Sequence, residues 1–473
     1  MPVHAGASPG PASGPPSGAN PAEADVAEAY LRDGLGELAP GPGQPEVLRS
    51  LDGRVVFAGA HPRRLARFAH VADLQLADDE SPARTGIVDG EPQTSGALRP
   101  QDPAMCRMLN AVVRTVNALH RADPIDFVLL GGDNADSAQT NEVGWVMAIL
   151  DGGVVHCDSG DDDELVPGEN DGKDPFVAEG LAMPWKWVSG NHDVNVQGNF
   201  RVDDAQQAVA LGTDARLGTR DYALRRRGAV RTGDFVVADP ARALLDGPGL
   251  VALVGNDGDG HGLADVDAST GKAYHWFDVG DALRFVVLDT TSTAGGASGV
   301  LSRADVERYA RPALDGAKAQ GRAAVLVSHH AIDSLTTDGG TFGRRVDDAL
   351  LPADWLAYLD SDDEVVLSLV AHTHVHRVRE QRTPSGHGFF EVMTAAVADW
   401  PHQFRIVEIW DDDNGTLRIT TTPVDFAVDG DDVAAQARAL GLVDQLAGYT
   451  FAVETPQPGD LNVTLIVPKP GAP

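Results

Sequence analysis

Thiols, lysines and aromatic rings are scarce in this chain. Its 473 residues hold two cysteines, Cys106 and Cys157, far apart and in no CxxC spacing, which excludes a disulfide framework and a thiolate zinc site. Lysine occurs only at positions 173, 186, 272, 318 and 469, and the 37 Lys and Arg fall far short of the 70 Asp and Glu. The resulting formal charge of −33 repels polyanions and argues against a non-specific nucleic-acid binder. Runs of about 18 apolar residues are absent, so no membrane span is expected. Residues 1–45 lack the basic segment and apolar core of a secretory signal, which makes a cytoplasmic location the expectation.

What is present suits a folded chain, since 42% of residues are hydrophobic and 23% charged. Residues 1–45, rich in Ala, Gly, Pro and Ser, read as a flexible low-complexity tail. Residues 46–430 read as the main domain and 431–473 as a C-terminal extension. From Arg64 onward, short apolar runs end in polar clusters and amphipathic stretches follow, the α/β signature. The runs are RLARFAHVAD, IDFVLLGGD, WKWVSGNHD, ALRFVVLDT, AAVLVSHH and EVVLSLVAHTH, each a buried strand. Met105, Met108, Leu109, Val112, Val113, Val116 and Leu119 recur at helical spacing. Further strands are expected after Phe389, with a turn at Asn414-Gly415, and two facing sheets accommodate this order. Two insertions break the rhythm: an acidic, turn-rich one at 151–180, read as a solvated loop, and a polar, Gly-rich one at 194–272.

The chemistry lies in where the polar residues fall. Asp73, Asp133, Asn191, His329, His372 and His374 all stand at the ends of expected strands, the edge at which α/β sheets gather ligands. Any one of them has an ordinary explanation as a turn or a satisfied core residue; together and in order they do not. Two divalent cations about 3.5–4 Å apart need a bridging carboxylate and a mixture of carboxylate, amide and imidazole ligands. Asp133 suits the bridge, and the N/O donor set favours Mn, Fe, Zn, Co or Mg.

These blocks, read as Asp73-Leu74-Gln75, Gly132-Asp133, Gly190-Asn191-His192-Asp193, Ser328-His329-His330 and Ala371-His372-Thr373-His374, resemble those of the calcineurin-like metallophosphoesterases. The resemblance spans residues 64–425, and the runs DLQLADDESPAR and GGDNADSAQTNE are similar to an uncharacterised, mainly actinobacterial branch. It implies an αββα sandwich of two mixed β-sheets flanked by helices. It also implies hydrolysis of a phosphate mono- or diester by a hydroxide bridging two divalent or mixed-valence metal ions. Carried over, Asp73 and His374 hold one ion, Asp133 bridges, and Asn191, His329 and His372 hold the other, with His330 an alternative to His329. His192 contacts a phosphate oxygen and Asp193 orients its ring.

Two departures stand out. Ala371 replaces a family glycine, a change that matters only if that backbone needs positive φ. Gln75 stands where the family has a histidine ligand, and an amide oxygen binds a transition metal more weakly. Asp136 lies three residues after Asp133, where the related purple acid phosphatases place a tyrosine ligand; it either replaces the lost ligand or supports the site from behind. His376 is read as a surface histidine with a substrate role as the alternative, and Trp185, Trp187 and Trp400-Pro401-His402 as core packing rather than a stacking platform. The expected partner is a small phosphate ester. The rival reading is a same-fold protein that has lost one metal site and acts as a binding protein or non-hydrolytic isomerase.

Overall fold

Apolar runs without polar alternation suit strands covered on both faces, and the computed structural model of the chain arranges them so. It describes residues 31–34, 38, 41–53, 58–84, 98–160, 170–217, 220–221, 226–227, 231–255, 260–264, 266–447 and 455–471. The main strands are β1 (Val47–Ser50), β2 (Arg63–Val71), β3 (Phe127–Leu130), β4 (Trp185–Lys186), β5 (His275–Val279), β6 (Leu283–Val287) and β7 (Ala323–Val327). They continue with β8 (Val365–Val370), β9 (Arg377–Arg382), β10 (Gly388–Met393), β11 (Gln403–Asp411), β12 (Thr416–Asp425) and β13 (Val463–Pro468). The helices that cover them are α1 (Met105–Ala122), α2 (Thr140–Asp151), α3 (Arg311–Ala319), α4 (Pro352–Tyr358) and α5 (Asp432–Ala447).

One sheet has seven strands in the order β1-β13-β12-β11-β2-β3-β4, the other six in the order β5-β6-β7-β8-β10-β9. Both are mixed: β2, β3 and β4 run parallel, as do β6, β7, β8 and β10, while β11 and β9 run antiparallel to their neighbours. Alternate residues of each strand face inward, so Phe68 and Phe127 of one sheet meet Phe285, Val325 and Leu367 of the other. Phe68 and Phe285 pack edge to face at 5.3 Å. Each such large side chain contributes about 1.5–3 kcal/mol by burial. The outward residues of the first sheet lie under α1, α2 and α5, and those of the second under α3 and α4. The result is the expected αββα sandwich.

Several local features differ from the sequence reading. Cys106 and Cys157 form a disulfide, with Cα atoms 6.6 Å apart across 51 residues of chain, because α1 begins beside the segment that leaves α2. The 151–180 insertion is not loop throughout, since Gly153–Val155 pairs antiparallel with Phe176–Ala178; residues 161–169, its most acidic part, lie outside the described residues. Both insertions meet at Arg242, whose fully buried side chain donates to Asp78 and to Ser159. Residues 431–473 supply α5 against α1 and place β13 inside the seven-stranded sheet, between β1 and β12. Most of the tail expected at 1–45 lies outside the described residues. Among the described residues no helix is long and apolar enough to cross a membrane.

Candidate metal centre

The parallel strands of both sheets point their C-terminal ends at one edge, and the turns there use backbone that few side chains adopt. Asp73 (φ 50°), Gln75 (38°), Asp133 (53°), His372 (80°) and His374 (58°) are all left-handed. Such residues cost on the order of 1 kcal/mol or more each and gather at functional sites. Ala371 is not among the positive-φ residues, so its methyl group is accommodated. Gly132 and Gly190 let the loops close: a Cβ on Gly132 would lie 2.5 Å from the His329 ring, and one on Gly190 2.1 Å from Asp133 Oδ1.

The edge brings ligand types from five loops together. His329 Nε2 lies 3.0 Å from Asp133 Oδ2 and 3.9 Å from Asp73 Oδ1, and His374 Nε2 lies 3.4 Å from Asp73 Oδ1. The far side of each residue is already occupied. His329 Nδ1–H donates to Gly131 O at 2.9 Å, His374 Nδ1–H to Asp399 Oδ2 at 2.5 Å, and Asn191 Nδ2 to Gly198 O at 3.1 Å. Asp73 Oδ1, Asn191 Oδ1, His329 Nε2 and His372 Nδ1 remain buried without a hydrogen-bond partner. An unpaired buried polar atom costs about 1–3 kcal/mol, so several inward-facing ones of metal-ligand type fit a bound cation. Burial opposes charge on His329, and the adjacent Asp133 outweighs it, raising the ring to about 9. The same pairing holds Asp133 far below the usual carboxylate range despite its burial.

The choice between the adjacent histidines falls to geometry. His330 is spent on both sides, Nδ1 against Thr290 Oγ1 at 2.8 Å and Nε2 against Ala297 O at 3.0 Å, which leaves His329 as the one whose Nε2 faces the carboxylates. Among the described residues, ligand atoms within 4.8 Å of one another form two groups that meet at His329: Asp73, Asp133 and His329, and His329, His330 and His372.

Four other site residues are engaged differently. Gln75 Oε1 accepts from Arg99 Nη2, and Arg99 Nε donates to Asp399 Oδ1 at 2.6 Å. The Asp136 carboxylate accepts from Ser137 Oγ at 3.2 Å and lies 3.9 Å from Arg84. It also lies 3.4 Å from His192 Nδ1, whose proton goes to Asp136 O at 2.7 Å. The ring of His192 is therefore oriented by Asp136, not by Asp193. Asp193 instead accepts from the backbone N–H of Asn134, Ala135 and Gly190 at 2.9, 3.0 and 2.8 Å, tying the Asp133 loop to the Asn191 loop. Burial works against charge on His192, yet Asp133 and Asp136 raise its pKa.

Arg99 and Asp399 escaped the sequence reading. Asp399 follows β10 as the other site residues follow their strands, and that position was its signal. His376 is buried rather than surface, its Nδ1 accepting from Ala395 N and its Nε2 donating to Gln403 Oε1. Trp185 and Trp187 are fully buried core side chains.

The family model for calcineurin-like phosphoesterases matches residues 66–377. No curated protein sequence matches the chain. Among solved structures, a dimetal phosphatase from Danio rerio is similar with a TM-score of 0.42 and 13% identity, over 77% of this chain and 100% of that one. A purple acid phosphatase from yellow lupin (Lupinus luteus) seeds is similar with a TM-score of 0.32 and 13% identity, over 76% of this chain and 51% of that one.

Proposed function

This chain belongs to the calcineurin-like phosphoesterase family, and on that footing we propose that it hydrolyses a small phosphate mono- or diester with two divalent or mixed-valence ions held at the edge where its strands end. The observation that carries this reading is the clustering of Asp73, Asp133, His329 and His372 ligand atoms, with Asp73 Oδ1, Asn191 Oδ1, His329 Nε2 and His372 Nδ1 buried without a hydrogen bond. Asp133 stands beside His329, and in this reading it bridges one ion at Asp73 and His374 and another at Asn191, His329 and His372. Ions bound there, of Mn, Fe, Zn, Co or Mg, lower the pKa of a coordinated water and polarise phosphoryl oxygens.

The chain's own contribution is proton supply and placement. With Nδ1–H given to Asp136 O, His192 turns Nε2 toward the site, 4.0 Å from Asp133 Oδ2. In its protonated form it gives the Nε2 proton to the oxygen of the departing alcohol, as a general acid. The carboxylate of Asp136 stabilises that imidazolium. The reaction needs no covalent intermediate on a side chain. The charge of −33 favours a small ester over a nucleic acid.

Metal content per chain, with turnover of nitrophenyl phosphate monoester and diester, tests this in the wild type and Asp133→Asn after reconstitution with each metal. Bound metal and turnover in the wild type, both lost in the variant, are expected. Absence of turnover on either ester with every metal would sink the reading. The binding or isomerase alternative draws support from Gln75, whose oxygen is held by Arg99, and the same assay separates it. Against the cytoplasmic expectation stands the Cys106–Cys157 bond, because disulfides persist in oxidising compartments. Thiol titration of the unfolded, unreduced protein decides, with no reactive thiol expected.

A further inference from the structure

Behind one half of the metal centre sits a fixed cation. The Arg99 side chain is 1% exposed, donates through Nε to Asp399 Oδ1 and through Nη2 to Gln75 Oε1, and lies 3.9 Å from Asp102. Asp399 in turn backs His374 through Oδ2 at 2.5 Å. The carboxylate behind His374 is thus shared with a guanidinium, and the Gln75 amide oxygen is spent on the same group. In the other half, His329 and Asn191 are backed by the neutral carbonyls of Gly131 and Gly198.

A carboxylate behind a ligating imidazole raises the basicity of the ring and so its hold on a metal. A guanidinium on that carboxylate takes up part of the charge, and its own charge, which is not lost at any ordinary pH, repels a nearby cation in a medium that screens weakly. Nor can Arg99 swing away easily, because that would break its buried ion pair with Asp399 at 2.6 Å.

We infer that the two halves bind metal unequally: Asp133, Asn191, His329 and His372 hold one ion tightly, while the ion at Asp73 and His374 is weak and exchangeable because Arg99 takes the charge and the amide oxygen that would hold it. This rests on the metal-dependent phosphoesterase reading. Titration of the metal-stripped full chain with Mn²⁺, followed by calorimetry and by electron paramagnetic resonance, reads the two affinities without any turnover. The wild type takes up one ion tightly and a second at least about 10-fold more weakly, the scale on which outer partners tune metal affinity. Its spectrum at one equivalent is that of an isolated ion, and spin coupling emerges only with excess metal. Gln75→His restores an imidazole, and Arg99→Gln removes the charge while keeping an amide donor for Asp399. Each tightens the second ion by about 10-fold and leaves the first unmoved; circular dichroism checks that both fold, and if Arg99→Gln does not, Gln75→His carries the comparison. Two ions of equal affinity in the wild type, or a second affinity unmoved in Gln75→His, overturns the inference and leaves the phosphoesterase reading intact. No bound ion at all overturns both.

Discussion

The space between the two sheets and the edge where those sheets end are built on opposite terms. Between the sheets most side chains are apolar, such as Phe68, Phe285 and Leu367, which any neighbours of similar size and shape would satisfy. At the edge, carboxylates, imidazoles and guanidinium groups are buried almost as completely, and each depends on one or two named partners. The core therefore holds stability that is spread over many contacts, whereas the edge holds chemistry that single atoms decide. Substitutions should separate the two: changes at the edge alter turnover with modest effect on folding, and changes in the core do the reverse.

The largest effect is expected at His192, whose side chain is 14% exposed. His192→Asn should lower kcat by about 10²–10⁴-fold, the usual contribution of a general acid, with Tm close to wild type. A loss confined to KM would mean that the ring binds substrate without delivering a proton. Next comes the opposite case, Phe68→Ala, which should cost about 3–5 kcal/mol of stability while leaving kcat per folded molecule unchanged. Denaturant unfolding alongside activity at low temperature measures both; a kcat that falls in step with stability would show that core and edge are not separable.

A finer cut distinguishes the carboxylates that flank His192. Asp136→Asn keeps the backbone carbonyl that orients His192 but removes the charge beside its ring, so it should reduce kcat by about 10–100-fold and lower the pKa of the alkaline limb in the pH–rate profile, where His192 loses its proton. Asp193→Asn should leave that limb in place and act on stability, since its contacts are to the backbone N–H of Asn134, Ala135 and Gly190. An alkaline limb that moves in Asp193→Asn and not in Asp136→Asn would reverse the assignment.

The contrast between core and edge also explains what could be read from sequence. Strands such as FVLL announce themselves because burial on both faces leaves no polar residue in the run. Asp73, Asp133, Asn191, His329, His372 and His374 stand out for the same reason, as polar residues at or just past the ends of such runs. Partners that meet across the fold leave no such mark. Arg99 and Asp399 are 300 residues apart and Cys106 and Cys157 51, and no local periodicity joins them. Asp193 misled by adjacency: neighbours in a helical turn point different ways, so the carboxylate next to His192 in sequence is not the one beside its ring. The reach of Asp136 to His192 depends on how two loops from different strands fold toward each other, which spacing along one strand does not encode.

The smallest effect lies between the two regions, at His402, which is 1% exposed and packed so closely under α5 that a Cβ on Gly441 would come within 2.0 Å of its Nε2. Its Nδ1–H donates to Val397 O at 2.7 Å, and Nε2 is buried without a partner. Burial, with Arg438 adding to it, pushes the ring down from 6.5 to about 4 in spite of the Val397 bond and the nearby Asp399. In the unfolded chain the same ring titrates near 6.5, so as pH falls from there to about 4 the unfolded state takes up a proton that the folded state refuses. Stability tied to His402 is thus whole above pH 6.5 and lost on the way to pH 4, at up to about 1.4 kcal/mol per pH unit. Measured on metal-stripped protein, so that ligand protonation and metal release do not contribute together, Tm should fall more steeply over this window in the wild type than in His402→Gln. Parallel curves would mean that the acid sensitivity belongs to the edge and that α5 is seated on an uncharged ring at every pH where the protein folds.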